Sequence, residues 1–481
     1  MITPAPAGAA AIRSNRTVDI AIGAVAAGAT LGAMVANVPV IVLGAVLGSL
    51  ALAVARPYAG LATLAVLLPL RQPDVLPLGP TFLLIGAVAF GAMLRLPFDR
   101  SRPRVGAGVW FLGLYVLMAA ITLPTALSGG RPGEQDYVLY LFEQLLGIAT
   151  TFLLARYLLQ TTNPTPYLLL LLGAAGIAGS LAILQWWWGS PNGIPLRALL
   201  SPAPDNEWTD RVTGPFFNPN YFGFFLGTSI VMGVATIARI RSSARLLPIV
   251  CIGIAGIALA LTFSRGATLS MLAGVLTLAW FRSRRLAVGL GLTAILLVVV
   301  VYPVFIDVRA SGSGNELPSG LAAENENVEL RGSILVTGIQ MFLEEPVFGV
   351  GYGRFTFESP WFEQSLLVTE PHNSYTQVLA EQGILGTLAL LGCVTALALA
   401  VRRAGPRFRP TGSAIVVTML VNGMFLAVTS SIQATGLAAL TLGAVLAGAA
   451  AERARVPAHT RSELASLPDI RTRRTPAAVG P

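Results

Sequence analysis

Apolar runs close to twenty residues long recur along almost the whole chain, separated by short segments that hold arginine, proline and glycine. A run of about twenty residues crosses roughly 30 Å of hydrocarbon as a helix. A chain built this way is expected to fold as an all-α, polytopic integral membrane helix bundle, here with about 12 to 14 transmembrane helices. Composition closes off the alternatives. Of the 481 residues 54% are hydrophobic and only 11% charged, whereas soluble domains carry about 25% charged residues; a soluble globular enzyme and a disordered chain are both excluded. The 50 glycines and 32 prolines suit helices that pack through small residues and bend at breaks, because lipid offers no hydrophobic drive for helix association. No short repeat supports a collagen-like or low-complexity reading.

Spans are expected near 18–36, 38–55, 58–70, 78–96, 107–126, 137–158, 166–188, 219–239, 246–263, 266–282, 286–306, 375–401, 411–430 and 434–452. The net charge is +9, and every basic residue is arginine. Taken alone, such a balance suggests nucleic acid, but no basic stripe interleaved with aromatics appears. If the spans alternate from a cytoplasmic N-terminus, 24 of the 32 arginines fall on the cytoplasmic side and eight outside, as the positive-inside rule requires. This divides the chain into a cytoplasmic N-terminus (1–17), eleven spans (18–306), a large extracytoplasmic loop (307–373), three further spans (374–452) and a basic, disordered cytoplasmic tail (453–481). Cys251 and Cys393 each sit inside an apolar run and read as inert helix residues. The polar, basic N-terminus leads into a run followed by further spans, so a cleaved signal peptide is the weaker reading.

The loop of 307–373 far exceeds a helix connection. Its first third, SGSGNELPSGLAAENENVE, reads as flexible linker. From Val328 to Phe342 apolar residues recur at helical spacing, which predicts an outer-face helix along the membrane, ended by Glu344, Glu345 and Pro346. The following VFGVGYGRF predicts a turn whose backbone can approach something closely.

Ionisable residues on the outer side or near helix ends are the informative ones. Arg265, in LTFSRGATL, lies between two spans with almost no loop. It faces a cavity or a partner, or it snorkels to lipid phosphates. Arg331 falls on the outer helix, and spacing alone favours a surface salt bridge with Glu329 or another neighbour. Arg211 precedes a span and reads as a phosphate anchor. His372, where the long loop re-enters the membrane, carries the side chain best suited to accept a proton near neutrality. It has no second histidine, thiol or carboxylate at ligand spacing, so no metal is expected. Glu381, nine residues on, needs a partner: His372, an arginine or a substrate hydroxyl.

Four ordered segments resemble the O-antigen ligase and O-antigen polymerase superfamily of bacterial envelope glycosyltransferases: RVTGPFFNPNYFG from Arg211, FSRGA from Phe263, RGSIL from Arg331 with EPVFGVGYGRF after it, and HNSYTQVLAEQGILG from His372. The last reads His-Asn, nine residues, then Gly-x-x-Gly, and RGSIL fits the superfamily's Arg-x-x-x-Leu. The resemblance implies an undecaprenyl-pyrophosphate-linked glycan donor, a glycan or glycolipid acceptor, inverting and metal-independent transfer without a cofactor, and an active site facing the periplasm or exterior of the inner (plasma) membrane. By position it assigns function to Arg265, Arg331 and His372. Arg211, Asn220, Asn373, Tyr375 and Glu381 match recurring motif positions in substrate binding, and Glu381 or Tyr375 is the candidate to orient His372.

The residue types suit that chemistry. Two guanidinium forks hold the charge that develops on a departing pyrophosphate, and an imidazole takes the acceptor hydroxyl's proton. Two other readings remain at this point: a polymerase joining lipid-linked repeat units, and a lipid or glycan transporter. Transporters usually place functional charges near the midplane and have repeated halves, which this sequence lacks.

Overall fold

A computed structural model describes residues 16–35, 39–69, 80–95, 107–128, 131, 133–161, 163–188, 211–216, 218–296, 320–361 and 371–455. Every expected span contains a helix: α1 (Arg16–Val35), α2 (Pro39–Ala55), α3 (Pro57–Leu67), α4 (Pro80–Arg95), α5 (Ala107–Leu127), α6 (Glu134–Leu158), α7 (Thr165–Trp188), α8 (Pro219–Ile237), α9 (Leu246–Leu261), α10 (Arg265–Arg282), α11 (284–296), α12 (Gly320–Glu344), α13 (Ser374–Arg402), α14 (Arg409–Gly423) and α15 (Ile432–Arg455). No strand occurs among the described residues. Six of these helices, α5 to α8, α13 and α15, are long and apolar enough to cross a bilayer, and α1 to α4 and α9 are shorter apolar helices. The chain is a polytopic helical membrane protein.

The bundle is built around α8, whose first two turns carry Tyr221, Phe222, Phe224 and Phe225, all essentially without solvent contact. The Phe216 ring lies tilted 5.2 Å from that of Phe222 and 5.3 Å from that of Phe225. Around it α7, α9, α10, α14 and α15 pack through glycine contacts: a Cβ on Gly233 would meet Ile252, and one on Gly274 would meet Thr418 and Val231. Small residues let backbones approach where dispersion and close fit must hold helices together.

The arginines separate by end. Arg239 donates to the Arg407 carbonyl at 2.7 Å, and Arg453 approaches the Arg403 carbonyl at 3.5 Å, where α8, α13 and α15 finish. Arg265, at the start of α10, lies at the other end, with the chain entries into α8 and α13.

Three expectations about the helices need correction. The outer helix begins at Gly320, not at Val328. Leu, Ala and Glu in LAAENEN are good helix formers, so the helix extends upstream of the apolar periodicity. Its buried stripe is Ile334, Thr337, Gly338 and Met341, seated on α13, where a Cβ on Gly338 would lie 2.2 Å from Thr376; Leu335 instead faces outward. The span expected at 411–430 stops at Gly423 and continues as a turn with a short 3-10 segment, Val428–Ser430. The expected unbroken span at 375–401 is interrupted at Gly383, with φ 60° and ψ −156°.

That interruption is where the glycine-rich turn docks. In an unbroken helix the Ile384 and Leu385 N–H groups would donate to the carbonyls of Ala380 and Glu381. Instead Ile384 donates to Pro346 O at 2.9 Å and Leu385 to Val347 O at 3.4 Å, while Val350 and Gly351 donate to the freed carbonyls of Ala380 and Glu381 at 2.9 and 3.0 Å. The break therefore leaves these four groups paired, the condition for irregular backbone inside a membrane protein. Gly349, Gly351 and Gly353 all have positive φ, and a Cβ at 349 would sit 2.4 Å from the Glu381 carbonyl carbon. The close backbone approach expected of this segment is an approach to α13.

The linker of 307–319, Trp208 and the tail from residue 456 lie outside the described residues.

Candidate active site

Four chain segments meet at the end of the bundle where α8, α10 and α13 begin. Their positions follow from helix starts. Asn218 caps α8, its side chain accepting from the Asn220 N–H at 2.8 Å, and Asn373 caps α13, accepting from Tyr375 and Thr376 N–H at 2.9 and 3.2 Å. Short side chains that take up the first orphan donors are what helix entries favour.

Arg211 is held next to the α8 start: its Nε donates to Thr262 O at 2.8 Å and its Nη2 to Asn220 Oδ1 at 2.7 Å. Both are thus joined to the Ser264–Arg265 corner, because Thr262 Oγ1 accepts from the Ser264 N–H at 3.2 Å. A Cβ on Gly223 would fall within 3.1 Å of Ala267, Ser264 and Thr262, so the last glycine of the Arg211 motif is needed for α8 to reach this corner. Arg265 is the first residue of α10.

Phe425, in the turn after α14, joins the remaining groups. A Cβ on Gly266 would be 2.6 Å from the Phe425 Cβ, and the exposed guanidinium of Arg331 stands 6.0 Å from the Phe425 ring centroid. Ser374, two residues past His372, clasps the same turn: its hydroxyl donates to Leu426 O at 2.7 Å and accepts from the Val428 N–H at 2.8 Å. Tyr221 of α8 reaches Ala427 O at 3.4 Å.

His372 has φ 41° and Phe263 φ 50°, and they are the only non-glycine residues with positive φ among those described. Such conformations cost of order 1 to 3 kcal/mol each and concentrate at functional sites. One precedes the Asn373 cap, and the other lies two residues before Arg265. Burial, and after it the positive charge of Arg331, push the His372 imidazole down from 6.5 to about 4. At neutral pH it is uncharged and has a lone pair to offer a proton. Trp186 lies 6.1 Å from the Phe263 ring, and Trp187 is 81% exposed beside it.

Two expected partners are elsewhere. Glu381 is buried about 12 Å along α13 from the helix start; its carboxylate accepts from the Phe355 N–H at 3.2 Å and from Gln377 Nε2 at 3.3 Å. The correction follows from helix geometry: eight residues carry a side chain well down the bundle, and there Glu381 meets the docked loop instead of His372. The Tyr375 hydroxyl donates to Leu420 O at 2.7 Å, bracing α13 against α14 and not orienting the imidazole. The Glu329 side chain proposed to pair with Arg331 lies outside the described ones.

Sequence reasoning missed Phe425 and Ser374. The serine sits inside the His372 motif and was within reach of notice; Phe425 lies in an apolar run and carries no local mark. It also missed the bolt on the loop: Arg354 Nε meets the fully buried Glu134 at 2.8 Å and Arg354 Nη2 meets Glu358 at 2.5 Å. Among the described residues no three His, Cys, Asp or Glu side chains gather as a metal site would need, and the charge that acts on His372 is the Arg331 guanidinium.

No curated protein matches the chain. Residues 249–391 match the family model described as O-antigen ligase, a stretch that includes Arg265, Arg331 and His372 and begins after Arg211 and Asn220. Three of the four ordered motifs lie inside that match and all four meet at one end of a helical membrane bundle, so over this stretch the chain is similar to the O-antigen ligase family.

Proposed function

We propose that this protein transfers a polysaccharide from undecaprenyl pyrophosphate to an acceptor hydroxyl at the outer face of the cytoplasmic membrane. What supports the reading most is His372: an uncharged imidazole held in a left-handed backbone conformation, electrostatically coupled to Arg331, at the meeting point of Arg211, Arg265 and the Phe425 turn.

In this mechanism the acceptor oxygen attacks the anomeric carbon as the bond to the pyrophosphate oxygen breaks, with inversion. The acceptor proton passes to His372, a step worth about 10² to 10⁴ in rate. The electron pair of the breaking bond leaves with the pyrophosphate, and the guanidinium groups of Arg265 and Arg331 hold the added charge. Arg211 and Asn220 position the Ser264–Arg265 corner, and Asn373 fixes the backbone that carries the imidazole.

The test is reconstitution of the full chain with a lipid-linked glycan and candidate acceptors. Transfer that is lost in His372→Ala, with membrane insertion intact, supports the proposal. Undiminished transfer by that variant overturns it. Single attached chains and a ladder of lengthened lipid-linked chains separate ligase from polymerase.

A further inference from the structure

A second feature lies at the opposite end of the bundle and owes nothing to the proposed transferase chemistry. Between α5, α6, α13 and α15 is a cavity of about 760 Å³ whose walls are apolar along most of their length and end in Arg156, Arg403 and Arg453. Among the described residues no acidic side chain lines it. We propose that this cavity is a binding site for one anionic glycerophospholipid, with acyl chains along the apolar wall and the headgroup phosphate on the three arginines.

The walls favour acyl chains. Leu388 and Leu391 of α13 line the cavity and are 55% and 54% exposed, so the groove opens sideways toward the surface that lipid covers. Phe111 of α5 lies directly on the α13 backbone, since a Cβ on Gly392 would be 2.4 Å from its ring; the missing side chain at 392 makes room for one edge of the mouth.

The arginine end favours an anion. Arg156, on the last turn of α6, has a buried Nη1 without a hydrogen-bond partner among the described residues, which leaves a donor that a phosphate oxygen satisfies. Arg403 caps α13 and Arg453 stands on the last turn of α15. Three helix C-termini contribute roughly −0.5 each, less than the three full guanidinium charges. Glu452 is not among the lining residues; its carboxylate lies 3.9 Å from where a Gly405 Cβ would be and acts on Arg239. Basic pockets between transmembrane helices on the cytoplasmic side are where acidic lipid headgroups bind, and the arginine distribution assigns this end to the cytoplasm.

The experiment uses the full chain, delipidated in a neutral detergent, titrated with phosphatidylglycerol and followed by native mass spectrometry and by thermal unfolding. One phosphatidylglycerol per chain is expected, with a raised melting temperature. Arg403→Gln with Arg453→Gln, both exposed positions that the fold tolerates, is expected to weaken binding about 30-fold, since each arginine near a membrane surface contributes about a factor of five. Arg403→Lys with Arg453→Lys retains most of the affinity. Equal binding by the glutamine double variant, equal binding of phosphatidylcholine, or equal stabilisation by inorganic phosphate alone would each overturn the proposal.

Discussion

Gly383 of α13 lies so close to Gly349 of the long loop that a Cβ at 383 would be 2.8 Å from the Gly349 nitrogen and 2.5 Å from the Val347 carbonyl oxygen. Both glycines have positive φ, 60° and 71°. The contact is backbone against backbone, so no rotamer change relieves it. Through it the loop becomes part of the α13 hydrogen-bond pattern, and the N-terminal segment of α13, which starts at the Asn373 cap, is held from both sides.

Gly383→Ala and Gly349→Ala are therefore expected to destabilise the protein by at least about 1 to 3 kcal/mol each through backbone strain alone, with the clash added. Thermal unfolding of the purified protein measures this. A Gly383→Ala variant that melts with the wild type means that the exchange of hydrogen bonds contributes nothing.

The His372 imidazole, lowered to about 4, predicts two pH effects. Above pH 6.5 the side chain is neutral in the folded and the unfolded chain alike. Between 6.5 and about 4 the unfolded chain binds the extra proton, so stability falls as pH falls through that window. In the proposed reaction kcat/KM keeps its value down to about pH 5 and drops near 4, while kcat drops at a higher pH, because a bound pyrophosphate favours the imidazolium. A kcat/KM limb at 6.5 would contradict the burial of the imidazole.

Arg265→Lys and Arg331→Lys keep a positive charge and lose the planar fork. Each is expected to lower kcat about 10² to 10³, the range for removing one donor to developing charge, with insertion and melting temperature unchanged. Addition of a chelator to the wild type is expected to leave the rate unchanged. A rate that collapses on chelation and returns with a divalent cation shows that arginine alone does not hold the leaving group.

Arg354→Ala leaves Glu134, which is 0% exposed, without its 2.8 Å partner. The expected loss is about 3 kcal/mol, the lower end for a buried pair because Arg354 keeps some exposure. Glu134→Gln combined with Arg354→Gln removes the stranded charge and should recover part of the loss. If the double variant is less stable than Arg354→Ala, the pair's attraction outweighs its desolvation and this account has the wrong sign.

Much of this molecule was legible without coordinates. Hydropathy located every helix-bearing span, and the glutamate pair followed by Pro346 marked the end of α12 at Glu344. The four motifs picked out Arg211, Arg265, Arg331 and His372 before any contact was known. Less was legible at α13, where Gly383 looked like one more glycine in an apolar run, and at Phe425, which hydropathy assigned to a span. The partners expected for His372 were misjudged because sequence neighbours on a helix separate by 1.5 Å per residue along its axis.

The sequence by itself determined a helical membrane bundle, the asymmetric distribution of its arginines and the residue types available for chemistry. Each of these depends on what a residue or short segment prefers as its surroundings, and that preference is local. Only the tertiary structure decided which segments meet: the loop at 346–355 with a broken helix thirty residues on, Phe425 with both Gly266 and Arg331, and Arg354 with Glu134 across 220 positions. Those choices belong to packing, in which close backbone approach and the pairing of the backbone groups freed at the helix break are satisfied together, and no single stretch of sequence carries that information.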